Sequence, residues 1–145
     1  MTENACQVDF YLLRSDGLDS RRLACRLSLM AWERGQHVTV VTEDEKAAGE
    51  INELMWEYPS GRFLPHEVKN GSEGGDAPVS ITAKGDLNPD DVVINLSRQP
   101  IQKPGQFRRL LEIVPQSGPA LEASRDKFRY YRDQGFEPAT HEIKK

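Results

Sequence analysis

Three arginines near the end of the chain, Arg125, Arg129 and Arg132, are spaced by four and three residues. At about 100° per residue, a helix lines them up in one row. Leu121, Ser124, Phe128 and Tyr131 fall on the adjoining arc of roughly 80°, while Asp126 and Asp133 lie on the far side. A guanidinium binds a carboxylate through two parallel hydrogen bonds, which an ammonium group cannot copy. An aromatic ring at its margin offers a wall for an apolar group. Together they suit a short acidic peptide with a hydrophobic anchor, such as a chain terminus. The plainer alternative is a helix with core aromatics and a solvated arginine rim. A second cluster is Leu54-Met55-Trp56-Glu57-Tyr58-Pro59, followed by Phe63-Leu64-Pro65-His66. Trp56 follows an apolar helical stripe, and Phe63 sits in an irregular segment beside prolines. Large aromatics in such places are enriched at protein interfaces, and they serve equally as plugs beneath loops.

Other reactive patterns carry less. His37, His66 and His141 are far apart and there is no Cys-x-x-Cys, so no metal site is expected. Glu43-Asp44-Glu45 reads as acidic residues facing the positive end of a helix rather than as a cation site. Ser124-Arg125-Asp126-Lys127 has a Ser-x-x-Lys form without its companion motifs, and a helix this polar is not expected to bury a neutral lysine. A nucleotide site needs a glycine-rich first βα turn. Here that turn is Arg14-Ser15-Asp16-Gly17-Leu18-Asp19, and its carboxylates would repel phosphate. No cofactor is expected.

These residues must be positioned by regular elements. Val8 to Leu13 reads as a buried strand. Asp19 is placed to cap a helix carrying Leu23, Leu27, Met30 and Ala31 at helical spacing and closed by Gly35. His37 to Val41 is a β-branched strand. Thr42-Glu43-Asp44-Glu45 has the form of a capping box, opening a helix with Ala47, Ala48, Ile51, Leu54 and Met55. Val79–Thr82 and Val92–Leu96 are strand candidates. A short helical turn is expected near Phe107 to Leu111, and the last helix runs from Pro119 to Gly135. Alternating strands and helices imply an α/β domain: one mostly parallel sheet of four or five strands with helices on both faces, spanning residues 1–145. The glycine-rich stretch from Asn70 to Asp76 reads as a loop within it.

The 145 residues suffice for one domain with its own core. With 37% apolar and 29% charged residues, and no long apolar run, a membrane span is excluded. Cys6 and Cys25 fit free thiols in a reducing cytosol, Cys25 as a small packing residue, and no secretory signal opens the chain. The net charge of −4 is unevenly spread. Residues 40–97 carry four basic and twelve acidic side chains, and residues 98–132 carry eight basic and three acidic. An acidic body is a poor general binder of nucleic acid. A local basic stretch suits an acidic partner better.

Five stretches then resemble a known family, the chi subunits of bacterial DNA polymerase III. They are Phe10-Tyr11-Leu12-Leu13, Glu43-Asp44-Glu45-Lys46, Leu54-Met55-Trp56, Phe63-Leu64-Pro65-His66 and Tyr131-Arg132-Asp133-Gln134-Gly135-Phe136. They occur in the family's order and span nearly the whole chain. The resemblance implies a nucleotide-binding-like α/β fold without a phosphate loop and a cytoplasmic, non-catalytic replication accessory. It implies two partners: the psi subunit, which attaches chi to the clamp loader, and the acidic C-terminal tail of single-stranded-DNA-binding protein, which ends in phenylalanine. DNA would be met only indirectly, and a monomer is expected in isolation. Carried over by position, the tail site comprises Val114, Arg125, Phe128, Arg129 and Thr140. The psi-facing surface comprises Trp56, Phe63, Pro65 and His66. This chain departs from the family pattern in having Phe128 for tyrosine and Arg129 for lysine, and it diverges after Phe136. A small enzyme handling nucleotides or phosphate esters on the same fold is the alternative, supported by the fold alone.

Overall fold

A computed structural model describes residues 6–15, 19–58, 61, 63–69, 77–83 and 90–144. The N-terminal apolar run forms β1 (Gln7–Leu13). Asp19 then caps α1 (Ser20–Glu33), accepting the Arg21 N–H at 2.9 Å. The chain continues through β2 (Val38–Val41), α2 (Glu45–Glu57), β3 (His66–Val68), β4 (Val79–Thr82) and β5 (Asp90–Asn95). A 3₁₀ turn at Pro104–Gln106 precedes β6 (Phe107–Val114), and α3 (Pro119–Asp133) leads into β7 (Ala139–Ile143). Gly35 and Gly135 end α1 and α3 at φ 80° and 96°, values a side chain would strain. The glycine-rich stretch 70–76, the Asp16-Gly17-Leu18 part of the first turn, and Pro59 lie outside the described residues.

Among the described residues the seven strands form one sheet in the order β3-β4-β2-β5-β6-β1-β7, with every pairing parallel. Both faces are covered, so the inner strands are apolar on both sides. Val40, Ile94 and Leu111 pack with Leu29 of α1 and Ile51 and Met55 of α2 on one face. Val41, Val93 and Leu110 pack with Tyr131 of α3 on the other. The α/β fold with helices on both faces is as the sequence leads one to expect.

Three local expectations are corrected. Phe107–Leu111 is not a helical turn but the first part of β6. Its apolar residues at 107, 110 and 111 mimic helical spacing, yet β6 lies between β5 and β1, where both edges are hydrogen-bonded and both faces filled. The sheet has two more strands than the upper expectation, because β3 is three residues long and the edge strand β7 is polar and largely exposed. The cap of α2 is Asp44, whose Oδ1 accepts the Ala47 N–H at 2.8 Å. Thr42 donates its hydroxyl to the Asp44 carbonyl at 3.0 Å instead of capping. Glu43 accepts the Arg98 N–H at 2.7 Å and lies outside the first turn of α2.

Candidate peptide-binding cleft

The chain leaves β1 through α1 on one face of the sheet and leaves β6 through α3 on the other. Since β1 and β6 are neighbours, the two departures pull apart beyond their carboxyl ends, where α/β sheets form crevices. A cleft of about 440 Å³ lies there. Leu12 and Val114 at the strand ends, with Phe10, Leu121 and Phe128, give it an apolar floor and wall. Arg125 and Thr140 stand at its margin. Phe128 is half-buried and meets Phe10 edge-on, ring centroids 5.1 Å apart.

Four of the five residues expected at the tail site, Val114, Arg125, Phe128 and Thr140, thus line one cleft. Arg129 does not line it; it is exposed and pairs with Asp126 at 3.4 Å. Arg125 is exposed, and among the described residues no carboxylate pairs with it. Arg14, also at the cleft, shares its charge with Glu142 at 3.3 Å. Arg125 is therefore the cation in the wall with its donors to spare.

Two polar clusters that sequence reasoning missed hold the cleft in shape. Beneath α3, Glu112 of β6 is fully enclosed. Its carboxylate accepts from Lys127 Nζ at 2.7 Å, the Tyr131 hydroxyl at 2.7 Å and Asn95 Nδ2 at 2.8 Å. Lys127 also donates to the Ser97 carbonyl at 2.8 Å, and Tyr131 accepts the Ile101 N–H at 2.9 Å. Lys127 is nevertheless buried, and it is buried as the partner of an enclosed carboxylate. Burial pushes the Glu112 carboxyl up, against the opposing pull of the Lys127 charge and of its hydrogen bonds. Burial and the neighbouring Glu112 charge push the Tyr131 hydroxyl well above its ordinary range. The signals were a lone glutamate within Leu-Leu-Glu-Ile-Val, and Lys127 and Tyr131 four residues apart on the buried arc of α3.

The second cluster joins β7 to the sheet. The enclosed Asp9 carboxylate accepts from Arg109 at 3.0 Å and Gln7 at 3.1 Å, and it lies 2.9 Å from His141 Nε2. Burial alone would raise this carboxyl, but the bonds from His141, Gln7 and Arg109 and the Arg109 charge outweigh it, leaving the carboxyl below the usual aspartate value. His141 adjoins Thr140, so this anchor sets the far wall of the cleft.

The other expected surface is partly exposed. Trp56 and Phe63 are 55% and 65% exposed, with ring centroids 6.1 Å apart. Pro65 is half-buried beside them. His66 is enclosed rather than displayed: its ring nitrogens lie 2.6 and 3.0 Å from the Leu64 and Asn52 carbonyls, and the ring backs Trp56 at 4.4 Å. Cys6 and Cys25 are buried and free. Burial, helped by nearby Asp9 and Asp19 respectively, pushes their thiols up to about 11 and about 12. Neither is placed as a nucleophile. No helix among the described residues is long and apolar enough to cross a membrane.

The family model and the sequence relatives agree on one family. The family described as "DNA polymerase III chi subunit, HolC" matches residues 6–139. The chain is 33% identical to a DNA polymerase III subunit chi of Pseudomonas aeruginosa, over 94% of this chain and 96% of that one. It is 30% identical to the subunit chi of Escherichia coli, over 88% and 91% respectively. Among solved structures, Saccharomyces cerevisiae Dbp5 bound to RNA and ADP BeF3 superposes with a TM-score of 0.67 at 11% identity, covering 97% of this chain and 42% of that one. The C-terminal domain of the DEAD-box protein Dbp5 superposes with a TM-score of 0.59 at 10% identity, over 96% and 91%. At such identities these likenesses concern the fold alone.

Proposed function

Because this chain belongs to the DNA polymerase III chi subunit family, a replication accessory rather than an enzyme, we propose that it ties single-stranded-DNA-binding protein to the polymerase's clamp loader. In this reading the cleft at the ends of β1 and β6 takes the acidic C-terminal tail of single-stranded-DNA-binding protein. Its terminal phenylalanine packs on Phe128 and Val114, and a carboxylate pairs with Arg125. The supporting observation is a guanidinium with no ion-pair partner among the described residues, at the mouth of an apolar cleft of about 440 Å³, the chemistry such a tail requires. The exposed Trp56–Phe63 pair, buttressed by His66 and flanked by Pro65, is the surface offered to the psi subunit. The chain works as a monomer in a one-to-one pair with psi, in the cytoplasm, and reaches DNA only through its partners.

Titration calorimetry with a peptide ending in Asp-Ile-Pro-Phe tests the cleft. Arg125→Ala and Phe128→Ala should each weaken binding by roughly 1–3 kcal/mol, the range for a charged hydrogen bond or an interface anchor. Added salt should weaken it too. Arg129→Ala should do less, since Arg129 is exposed and shared with Asp126. Wild-type affinity in both Arg125→Ala and Phe128→Ala would remove the assignment. Trp56→Ala should abolish co-purification with psi and leave peptide affinity intact.

A further inference from the structure

We propose that a second cleft, on the opposite flank of the start of α3, receives the acidic residues that precede the chain end held in the first; this rests on the reading of the first cleft above. The second cleft measures about 290 Å³. Its walls are Arg21 at the start of α1, Ser97 and Arg98 after β5, and Ala120 and Ala123 of α3. Pro115 and Ser124 line both clefts. Leu121, Arg125 and Phe128 face the first, while Ala120, Ala123 and Lys127 face the second. The two spaces therefore flank the first half of α3. The alanines leave the space above Lys127 open.

A helix is about 10 Å across, and an extended chain advances about 3.3 Å per residue, so roughly three residues cross the divide. A ligand whose last ring lies against Phe128 brings its fourth residue from the end, and those before it, to the second cleft. The cleft's charge suits acids there. Arg98 is exposed and has no ion-pair partner among the described residues. Lys127 at the floor uses two of its three N–H donors, on Glu112 and Ser97, leaving one. Arg21 is shared with Glu50 at 3.3 Å and contributes less. Gly118 gives α3 no side-chain cap, so the positive end of the helix adds to the field along the crossing. Glu43 is the opposing carboxylate in the wall, and it is held by the Arg98 backbone N–H at 2.7 Å.

The test is calorimetry with two probes, Asp-Asp-Asp-Ile-Pro-Phe and Asn-Asn-Asn-Ile-Pro-Phe. Arg98→Ala should weaken the acidic peptide about three- to fivefold, the scale of an exposed charge pair, and leave the neutral one unchanged. Glu43→Gln keeps the acceptor for the Arg98 N–H while removing the charge, so it should tighten the acidic peptide alone. Phe128→Ala should weaken both. If Arg98→Ala and Glu43→Gln leave the acidic peptide unaffected while Phe128→Ala still weakens it, the second cleft is refuted and the first stands. If Arg98→Ala weakens both peptides equally, the effect is not charge pairing and the inference fails as well. If the wild-type protein binds neither peptide, the reading of the first cleft falls and takes this one with it.

Discussion

Replacing Lys127 by methionine isolates the buried pair that seats α3. Methionine keeps much of the aliphatic length but leaves Glu112, which has no exposed surface, without its counter-ion. Removing one partner of a buried ion pair costs about 3–5 kcal/mol. That is a large part of a typical 5–15 kcal/mol total, and at roughly 3–4 °C per kcal/mol for a chain of this size it lowers Tm by about 10 °C or more. The loss has a pH signature. Burial already raises the Glu112 carboxyl, and without Lys127 it rises further. A carboxyl raised in the folded state contributes fully below its unfolded value, about 4.3, and that contribution is lost as pH rises toward the folded value. The variant's deficit should therefore be small near pH 4 and grow by up to about 1.4 kcal/mol per pH unit. Urea unfolding at pH 4.5, 6 and 7.5 reads this directly. Adding Glu112→Gln removes the uncompensated charge while keeping an acceptor for Tyr131 and Asn95, and it should recover most of the loss at pH 7.5. A deficit independent of pH, or no rescue in the double variant, would show that Lys127 acts by packing rather than by charge.

The remaining expectations concern the other anchor and the exposed rings. The depressed Asp9 carboxyl contributes stability above its unfolded value of about 3.9, and that contribution is lost as pH falls through the folded value. Amide protection factors in β7 should accordingly fall below about pH 4 before those in β2, and Asp9→Asn should lower them already at pH 7. Trp56→Ala should change stability by less than about 1 kcal/mol, because the ring is mostly exposed, whereas Met55→Ala one residue earlier should cost about 2–5 kcal/mol; equal losses in urea unfolding would contradict the burial described here.

The cleft was legible as far as helix periodicity reaches. The wheel of α3 places Arg125 and Phe128 on adjoining arcs, and the structure sets both on one cleft. Arg129 shows the limit of that reasoning. A wheel gives direction but not whether a neighbouring carboxylate claims the charge, and Asp126, three residues earlier, does so. Thr140 lay beyond the wheel altogether. It lines the cleft because β7 pairs with β1 in a register that sets Thr140 opposite Phe10. His66 belongs to the same lesson: the resemblance set it on the psi-facing surface by position in the chain, and position does not tell that its ring lies against the carbonyls of Leu64 and Asn52.

Patterns of short range settled the helix starts at Asp19 and Pro119, the ends at Gly35 and Gly135, and the α/β class, because caps, positive-φ glycines and apolar periodicity act within a few residues of chain. Strand order, the helix-like stretch that became β6, and the enclosure of Glu112 with Lys127 depend on pairings between residues as close in the chain as His66 and Val79 and as distant as Asp9 and Ala139. Such pairings exist only once the sheet has brought β1, β5, β6 and α3 together and stripped their polar groups of water. A buried charge then holds because its partner has arrived from elsewhere, and no local spacing announces that arrival.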